Sequence, residues 1–278
     1  MSIGINTNIE VGVDFKELYA EVKNAGFDSV MIAFKTGNTE ELITCAKEAG
    51  LKIPYVHLSC REANSLWVES VISLNYIKKL KSEIDLCNKH NIPMAVIHPT
   101  TGNPNSKPIP PSEVGLKNIS TIVEYAISKN VKLAFENVDK NSLKYLKFIF
   151  KYFDKNKVGF CYDVGHNYLY YPKKDILKKF KDRLIAVHLH DNDMNFTKFN
   201  DYTKDKHMLP FDGALNFEKV CKNLADAQYK NTIMLEVNRV STSNPNKYKE
   251  VLLKDFVKEA KKRVDKIKKL ITKNRKSN

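Results

Sequence analysis

The sequence predicts an α/β fold, a single (β/α)8 TIM barrel over residues 1–278, and three observations predict it. Eight short apolar runs alternate with eight longer helix-like segments, and no linker interrupts the series. The length, 278 residues, suits a barrel, which needs about 250. Several apolar runs finish on His, Asp or Glu, and in a barrel all strand ends of that polarity meet on one face. A doubly wound open sheet is the alternative, but no early strand is followed by the GxGxxG turn that would favour it.

The elements follow in order. Ile3 to Thr7 makes the first strand, and Asp14 to Ala25 a helix closed by Gly26. Ser29 to Phe34 is the second strand, followed by a helix from about Thr39 to Ala49 that Gly50 ends. Ile53 to Leu58 is the third strand, and a long helix runs from about Ser65 to His90 before Asn91 and Pro93 stop it. Met94 to His98 is the fourth strand. A Pro-, Gly- and Asn-rich loop, Pro99 to Pro111, then leads into a helix ending near Lys129. Lys132 to Asn137 is the fifth strand with Ser142 to Phe153 its helix, and Val158 to Asp163 the sixth, with a shorter helix from about Lys173 to Lys181. Leu184 to His190 is the seventh strand, a polar loop covers Asp191 to Asn216, and a helix runs from Phe217 to Ala227. Thr232 to Val237 is the eighth strand, and about Lys247 to Ile271 the closing helix.

Composition narrows the class. With 42% hydrophobic and 28% charged residues the chain reads as an ordinary globular protein, and no run approaches the roughly 20 apolar residues of a membrane span. The start, MSIGINTNIE, lacks a charged-then-apolar signal pattern, so a cytoplasmic location is expected. Cys45, Cys60, Cys87, Cys161 and Cys221 are odd in number and show no CxxC spacing, as expected of reduced thiols serving as small hydrophobes. Only Cys60, just after a candidate site strand, has a small claim to a role. The formal charge of +14 raises the question of nucleic acid. Between Tyr248 and Asn278, however, twelve Lys and Arg stand against four Asp and Glu, so more than half the excess lies in a basic C-terminal helix and tail. A solvated basic helix explains that better than a binding site does.

The strand ends carry the chemistry. The third ends at His57, the fourth at His98, the fifth at Glu136, and the sixth at Asp163 with His166 just beyond. The seventh ends at His188 and His190, its loop holds Asp205 and His207, and the eighth ends at Glu236. Six of the seven histidines thus fall on one face, with His90 outside. Any one of them could be a satisfied core polar group, or a glutamate paired with a lysine. Together they point to a divalent cation, which neutralises several buried carboxylates and imidazoles at once. Period-two alternation places Ala134 with Glu136, Cys161 with Asp163, Ala186 with His188 and Met234 with Glu236 on the inward faces. Two Glu, one Asp and one His suit Mn, Mg, Co or Zn.

With these residues in place, the chain resembles the xylose isomerase-like barrels, which include sugar isomerases and epimerases and AP endonucleases of the endonuclease IV type. The motifs are LAFEN around Glu136, CYDVGH around Asp163 and His166, AVHLHDND around His188, DKHMLPFDGALNF from Asp205, and IMLEV around Glu236. In the epimerase branch the resemblance implies one divalent metal on Glu136, Asp163, His188 and Glu236, with the two glutamates moving the proton. In the endonuclease branch it implies three zinc ions, with His57, His98, His166, Asp205 and His207 joining the same four. Two departures stand out. Asp212 replaces a glycine of the Gly-x-Gly turn after the DxH pair, and GINTN lacks the Gly-Ala-His start of endonuclease IV. Arg61, Asn64 and Trp67 are the best available candidates for a DNA-intercalating loop, Trp67 reading rather as a helix packing residue.

The leading expectation is a metal-dependent sugar or sugar-derivative isomerase or epimerase. Glu136 and Glu236 are its acid/base pair, and the metal lowers the cost of an enediolate. His166 and Arg239 would orient substrate oxygens beside His57 and His98, although Arg239 reads more readily as a rim salt-bridge former. The second expectation is a trinuclear zinc phosphodiesterase acting at abasic sites in DNA, the third a dehydratase of a polyol or keto acid, and the last a metal-binding protein without catalysis. A small carbohydrate is the expected substrate, DNA only in the second reading, with no membrane partner. Homo-oligomers are common in the family the chain resembles.

Overall fold

In a computed structural model of the chain, the described residues are 1–10, 12–34, 38–101, 109–172, 174, 176–193, 205–240 and 247–276. Eight parallel strands close into a barrel in sequence order: β1 (Ile3–Asn6), β2 (Ser29–Ala33), β3 (Val56–His57), β4 (Met94–Ile97), β5 (Lys132–Glu136), β6 (Val158–Asp163), β7 (Leu184–Leu189) and β8 (Ile233–Leu235), with β8 returning to β1. Among the described residues nine α-helices surround them: α1 (Phe15–Asn24), α2 (Thr39–Glu48), α3 (Val71–Lys89), α4 (Glu113–Ser128), α5 (Ser142–Tyr152), α6 (Val164–Tyr170), α7 (Ile176–Phe180), α8 (Phe217–Asp226) and α9 (Leu253–Lys276). The expected barrel is the observed one. No helix among the described residues is long and apolar enough to cross a membrane.

The core has two parts. A large cluster packs the outward strand faces against the helices. A smaller one, Met31, Tyr55, Val96, Ala134, Cys161, Ala186 and Met234, fills the barrel interior with one side chain from each of seven strand segments. Only β1 contributes none. On β1 the position falls to Gly4, where a Cβ would come 2.6 Å from Ser29 Oγ and 2.7 Å from Met234 Cε. Two residues further along, period-two geometry puts Asn6, His57, His98, Glu136, Asp163, His188 and Glu236 one layer higher. The site is therefore the layer directly above a dry apolar plug.

The structure revises several element boundaries. The expected helix from Ser65 is broken: Ala63–Trp67 forms a 3-10 turn, Val68 is extended, and Ser70 caps α3 by accepting from Ser73 N. Trp67 is buried beneath this turn, with Nε1 donating to Pro99 O at 2.7 Å, so it is a packing residue and not an intercalating one. Asn64 Oδ1 accepts from Thr101 N. The unexpected helix α6 starts directly on the sixth strand, because Asp163 Oδ1 accepts from His166 N at 2.7 Å and caps it. Strand β3 is shorter than expected, Pro54 having no N–H to give a ladder. Helix α9 begins at Leu253 instead of Lys247 and continues to Lys276. Its last turn is tied by Arg275 to Tyr229 O, before the start of β8, which places the end of α9 at the barrel end away from the strand carboxyl ends. Lys173 and parts of the loops at 99–111 and 191–216 lie outside the described residues.

Candidate active site

Each strand end from β3 to β8 delivers a donor, and the structure brings together all nine expected ones. His57 Nε2 and His98 Nε2 lie 3.0 Å apart, each 3.2 Å from Glu136 Oε2. The other oxygen, Glu136 Oε1, lies 3.3 Å from His188 Nδ1 and 3.4 Å from His166 Nδ1. His188 Nδ1 is also 3.0 Å from Glu236 Oε2 and 3.9 Å from Asp163 Oδ2. Asp205 Oδ2 is 3.1 Å from both His166 Nε2 and His207 Nε2. Glu136 is thus the bridge of the site.

Among the described residues four donor sets result, each with its donor atoms within 4.8 Å of one another. They are His57, His98 and Glu136; Glu136, Asp163, His188 and Glu236; Glu136, Cys161 and His188; and His166, His190, Asp205 and His207.

Local hydrogen bonds fix the imidazoles for such a role. His57 Nδ1 donates to Leu58 O at 2.8 Å, His166 Nδ1 to Asn137 O at 3.1 Å, and His207 Nδ1 to Glu236 O at 2.8 Å. A carbonyl only accepts, so each Nδ1 carries the proton and each Nε2 is left facing a carboxylate. This is how metal-ligating histidines are oriented. Neither ring nitrogen of fully buried His188 makes a hydrogen bond of acceptable geometry, despite the short approach to Glu236. An orphaned imidazole between two carboxylates fits a cation at their common focus.

The electrostatics agree. Burial opposes charge on His98, yet the Cys60 thiol and the Glu136 carboxylate raise it to about 10; burial opposes charge on His207, and Asp205 raises it to about 9. Burial likewise pushes Glu136 and Glu236 up, but the neighbouring imidazoles, His188 foremost, hold both well below the usual carboxylate range. The carboxylates draw positive charge into a desolvated site, which a divalent ion also supplies.

The sequence puts His190 on the site face without assigning it a role, and it gives no sign of Asp191. His190 is fully buried, its Nε2 3.1 Å from Asp163 Oδ1, and its ring stacks on that of His207 with centroids 3.9 Å apart. Its spacing from His188 put it on the right face, but nothing distinguished a donor from a packing residue. Asp191, also buried, accepts from Asn192 N, Gly213 N and Leu215 N and shapes the loop before α8. In that loop Asp212, at the expected glycine position, turns away from the site: Tyr248 Oη, in the turn before α9, donates to it at 2.6 Å, and Arg263 of α9 pairs with it at 3.1 Å. Arg239 stands apart from the donor sets: its guanidinium pairs with Glu10 and donates to Val251 O.

Comparison with known proteins places this geometry in context. A family model described as "Xylose isomerase-like TIM barrel" matches residues 19–259. An uncharacterised protein, y4fM, of Sinorhizobium fredii is 32% identical over 169 residues, which are 58% of this chain and 52% of that protein. The match thus spans about half the length of that curated relative. Among solved structures, D-psicose 3-epimerase from Clostridium cellulolyticum H10 superposes with a TM-score of 0.71 at 16% identity, covering 98% of this chain and 99% of that one. An L-ribulose 3-epimerase gives 0.75 at 12% identity, covering 99% and 96%. A xylose isomerase domain protein from Alicyclobacillus acidocaldarius subsp. acidocaldarius gives 0.71 at 15%, covering 98% and 99%. At such identities the likeness is one of fold.

Proposed function

The chain belongs to the xylose isomerase-like TIM barrel family, and from that premise and its donor sets we propose that it is a divalent-metal-dependent isomerase or epimerase of a small sugar or sugar derivative. The observation that carries the reading is the convergence of two carboxylates, Glu136 from β5 and Glu236 after β8, on one imidazole nitrogen, His188 Nδ1, at 3.3 and 3.0 Å. The names of the superposed epimerases support it. Glu136, Asp163, His188 and Glu236 would hold the ion, which when bound polarises a carbonyl and its neighbouring hydroxyl. Proton movement belongs to the protein. One glutamate takes the proton from the carbon next to the carbonyl, and a proton relayed through the other returns to the opposite face. His166, fixed by Asn137 O, and the His57 and His98 pair are placed to orient the remaining oxygens. Arg239 would reach substrate only by leaving Glu10.

The test is solvent deuterium incorporation next to the carbonyl across a panel of ketoses and their phosphates, with metal content measured per chain. Exchange that Glu136→Gln and Glu236→Gln each abolish is the expected result. No exchange with any metal-loaded sample and any ketose would overturn the reading.

One observation favours a second reading, a trinuclear zinc phosphodiesterase: the completeness of the His57, His98, Glu136 set and of the set containing His166, Asp205 and His207. Three ions in these sets would supply Lewis acidity towards the oxygens of a phosphodiester. Close to three zinc per chain, with cleavage of abasic-site DNA, would establish it over the first.

A further inference from the structure

A groove of about 500 Å³ runs along the outside of α5, and it is lined by Lys140, Lys144, Lys147, Lys151 and Lys174. Lys144, Lys147 and Lys151 are spaced three and four residues apart on α5, so they form one stripe on one helix face, each about 4.5 to 6 Å further along the axis, and Lys140 sits in the turn just before the helix. All five are exposed, and among the described residues none pairs with a carboxylate. Lysines elsewhere do pair: Lys89 with Glu40, Lys129 with Asp85, Lys222 with Asp226 and Lys261 with Asp265.

Among the described residues the stripe is poor in counter-charge. From Lys140 to Phe153 there is no Asp or Glu, and Asp139 is committed to Thr100 Oγ1, Asn141 N and Ser142 Oγ. Like charges three and four residues apart destabilise a helix. A bound polyanion would reverse the sign of that term. Half-buried Phe148 also lines the groove, one residue from Lys147 and one helical turn from Lys144. The groove starts at the site end of the barrel, since Lys140 follows Glu136 by four residues and Tyr171, also lining it, closes the helix that Asp163 begins. The α9 lysines differ in place: that helix ends at the opposite pole, and although Asp255, Glu259 and Asp265 are interleaved with the lysines of its first half, the turns after Asp265 carry no carboxylate.

We propose that the α5 groove binds single-stranded nucleic acid, its phosphates following the lysine stripe and a base resting on Phe148. An anionic bilayer fits less well, because the apolar residues line the groove instead of forming a protruding face beside the lysines. The surface lies outside the donor sets and goes beyond the sugar reading. It holds whether the barrel mouth isomerises a ketose or cleaves a phosphodiester.

The experiment is fluorescence anisotropy of a labelled oligothymidylate with the full-length chain, titrated at several salt concentrations. Two quadruple variants that remove equal charge are compared: Lys140→Gln, Lys144→Gln, Lys147→Gln, Lys151→Gln along the α5 groove, and Lys268→Gln, Lys269→Gln, Lys273→Gln, Lys276→Gln on α9. Circular dichroism confirms that each is folded, and Lys144→Gln with Lys147→Gln serves as a milder α5 variant. The α5 variant should weaken binding at least tenfold and lower the slope of log K against log salt by about 3, at about 0.7 per lost phosphate contact. The α9 variant should stay within twofold. Equal weakening by both variants would reduce the effect to net charge and overturn the proposal. So would no binding by the parent at low salt, or α5-dependent binding to anionic vesicles without binding to the oligonucleotide.

Discussion

Gly165 has no side chain because the imidazole of His190 occupies the space: a Cβ there would lie 2.0 Å from His190 Cε1 and 2.4 Å from its Nδ1. His190 in turn holds Asp163, whose two oxygens lie 3.1 and 3.2 Å from its Nε2. Backbone economy at one position of α6 is therefore linked to the orientation of a proposed metal ligand.

Gly165→Ala should displace His190 and free the Asp163 carboxylate to rotate. Overpacking of this kind costs about 1–3 kcal/mol. Loss of a hydrogen-bond partner to a ligand costs roughly 10–100-fold in metal affinity. Thermal melting and metal titration of the variant measure the two effects separately. Gly165→Ala with parental metal affinity would show that His190 does not orient Asp163.

His57→Ala and His98→Ala separate the two functional readings. They leave Asp163, His188 and Glu236 untouched while dismantling the set at Glu136 Oε2. A single-metal isomerase should keep its ion and much of its rate, whereas a trinuclear enzyme should lose both. Elemental analysis per chain, paired with rates on a ketose and on abasic-site DNA, decides between them. Full nuclease activity in both variants would remove the three-zinc scheme.

Much of this site was legible because barrel topology gathers strand ends: once His57, His98, Glu136, Asp163, His188 and Glu236 were recognised as ends, their meeting followed. What stayed hidden depends on packing across elements. The segment from Ser65 to Val71 is apolar enough to read as helix, and only the capping by Ser70 breaks it. Gly165 reads as a helix breaker until the ring of His190 is seen beside it. Charge counting by segment drew attention to α9, while the unneutralised stripe of α5 emerges only when helical periodicity is combined with the ion pairs made elsewhere. Glu83 was also passed over, although it lies on the apolar stripe of Tyr76, Leu80 and Cys87, where a carboxylate is out of place.

Glu83 yields a pH-dependent prediction. Ser59 Oγ lies 2.5 Å from Glu83 Oε1 and 2.8 Å from Phe34 O, and its single proton can serve only one of them. With the hydroxyl donating to the carbonyl, the short contact needs a proton on Glu83. Burial raises its carboxyl above the ordinary carboxylate range. The folded state thus holds a proton that the unfolded chain releases above about pH 4.3. Stability from this group is full below that pH and declines as pH rises towards the folded value. Glu83→Gln should keep both contacts and lose the decline, so its stability relative to the parent rises as pH increases above about 4.3 in urea unfolding. Glu83→Ala leaves Ser59 N without an acceptor, at a cost of about 1–3 kcal/mol. A Gln variant that tracks the parent at every pH would mean Glu83 is ionised in the folded protein.

Trp67 tests how far the support of the site extends. Its Nε1 donates to Pro99 O, the residue after His98, and its ring lies against Gly115, where a Cβ would approach Cε3 to 2.0 Å. The 3-10 turn, α4 and the end of β4 therefore lock together around one indole. Trp67→Phe keeps most of the apolar volume but removes the N–H, leaving the Pro99 carbonyl without that donor, which costs about 1–3 kcal/mol. If the indole does no more than fill space, melting temperature falls and nothing else changes. If it also fixes the chain at His98, the His57, His98 and Glu136 set loosens while the set built on Asp163, His188 and Glu236, on distant strands, does not. The expected outcome is the second. If the three-zinc reading holds, a competitive chelator titration of the variant should show affinity lost at His57 and His98 and retained at His188; if one ion is bound, its affinity should stay and the loosening should show as a raised KM. Uniform retention of affinity with an unchanged KM would confine Trp67 to packing.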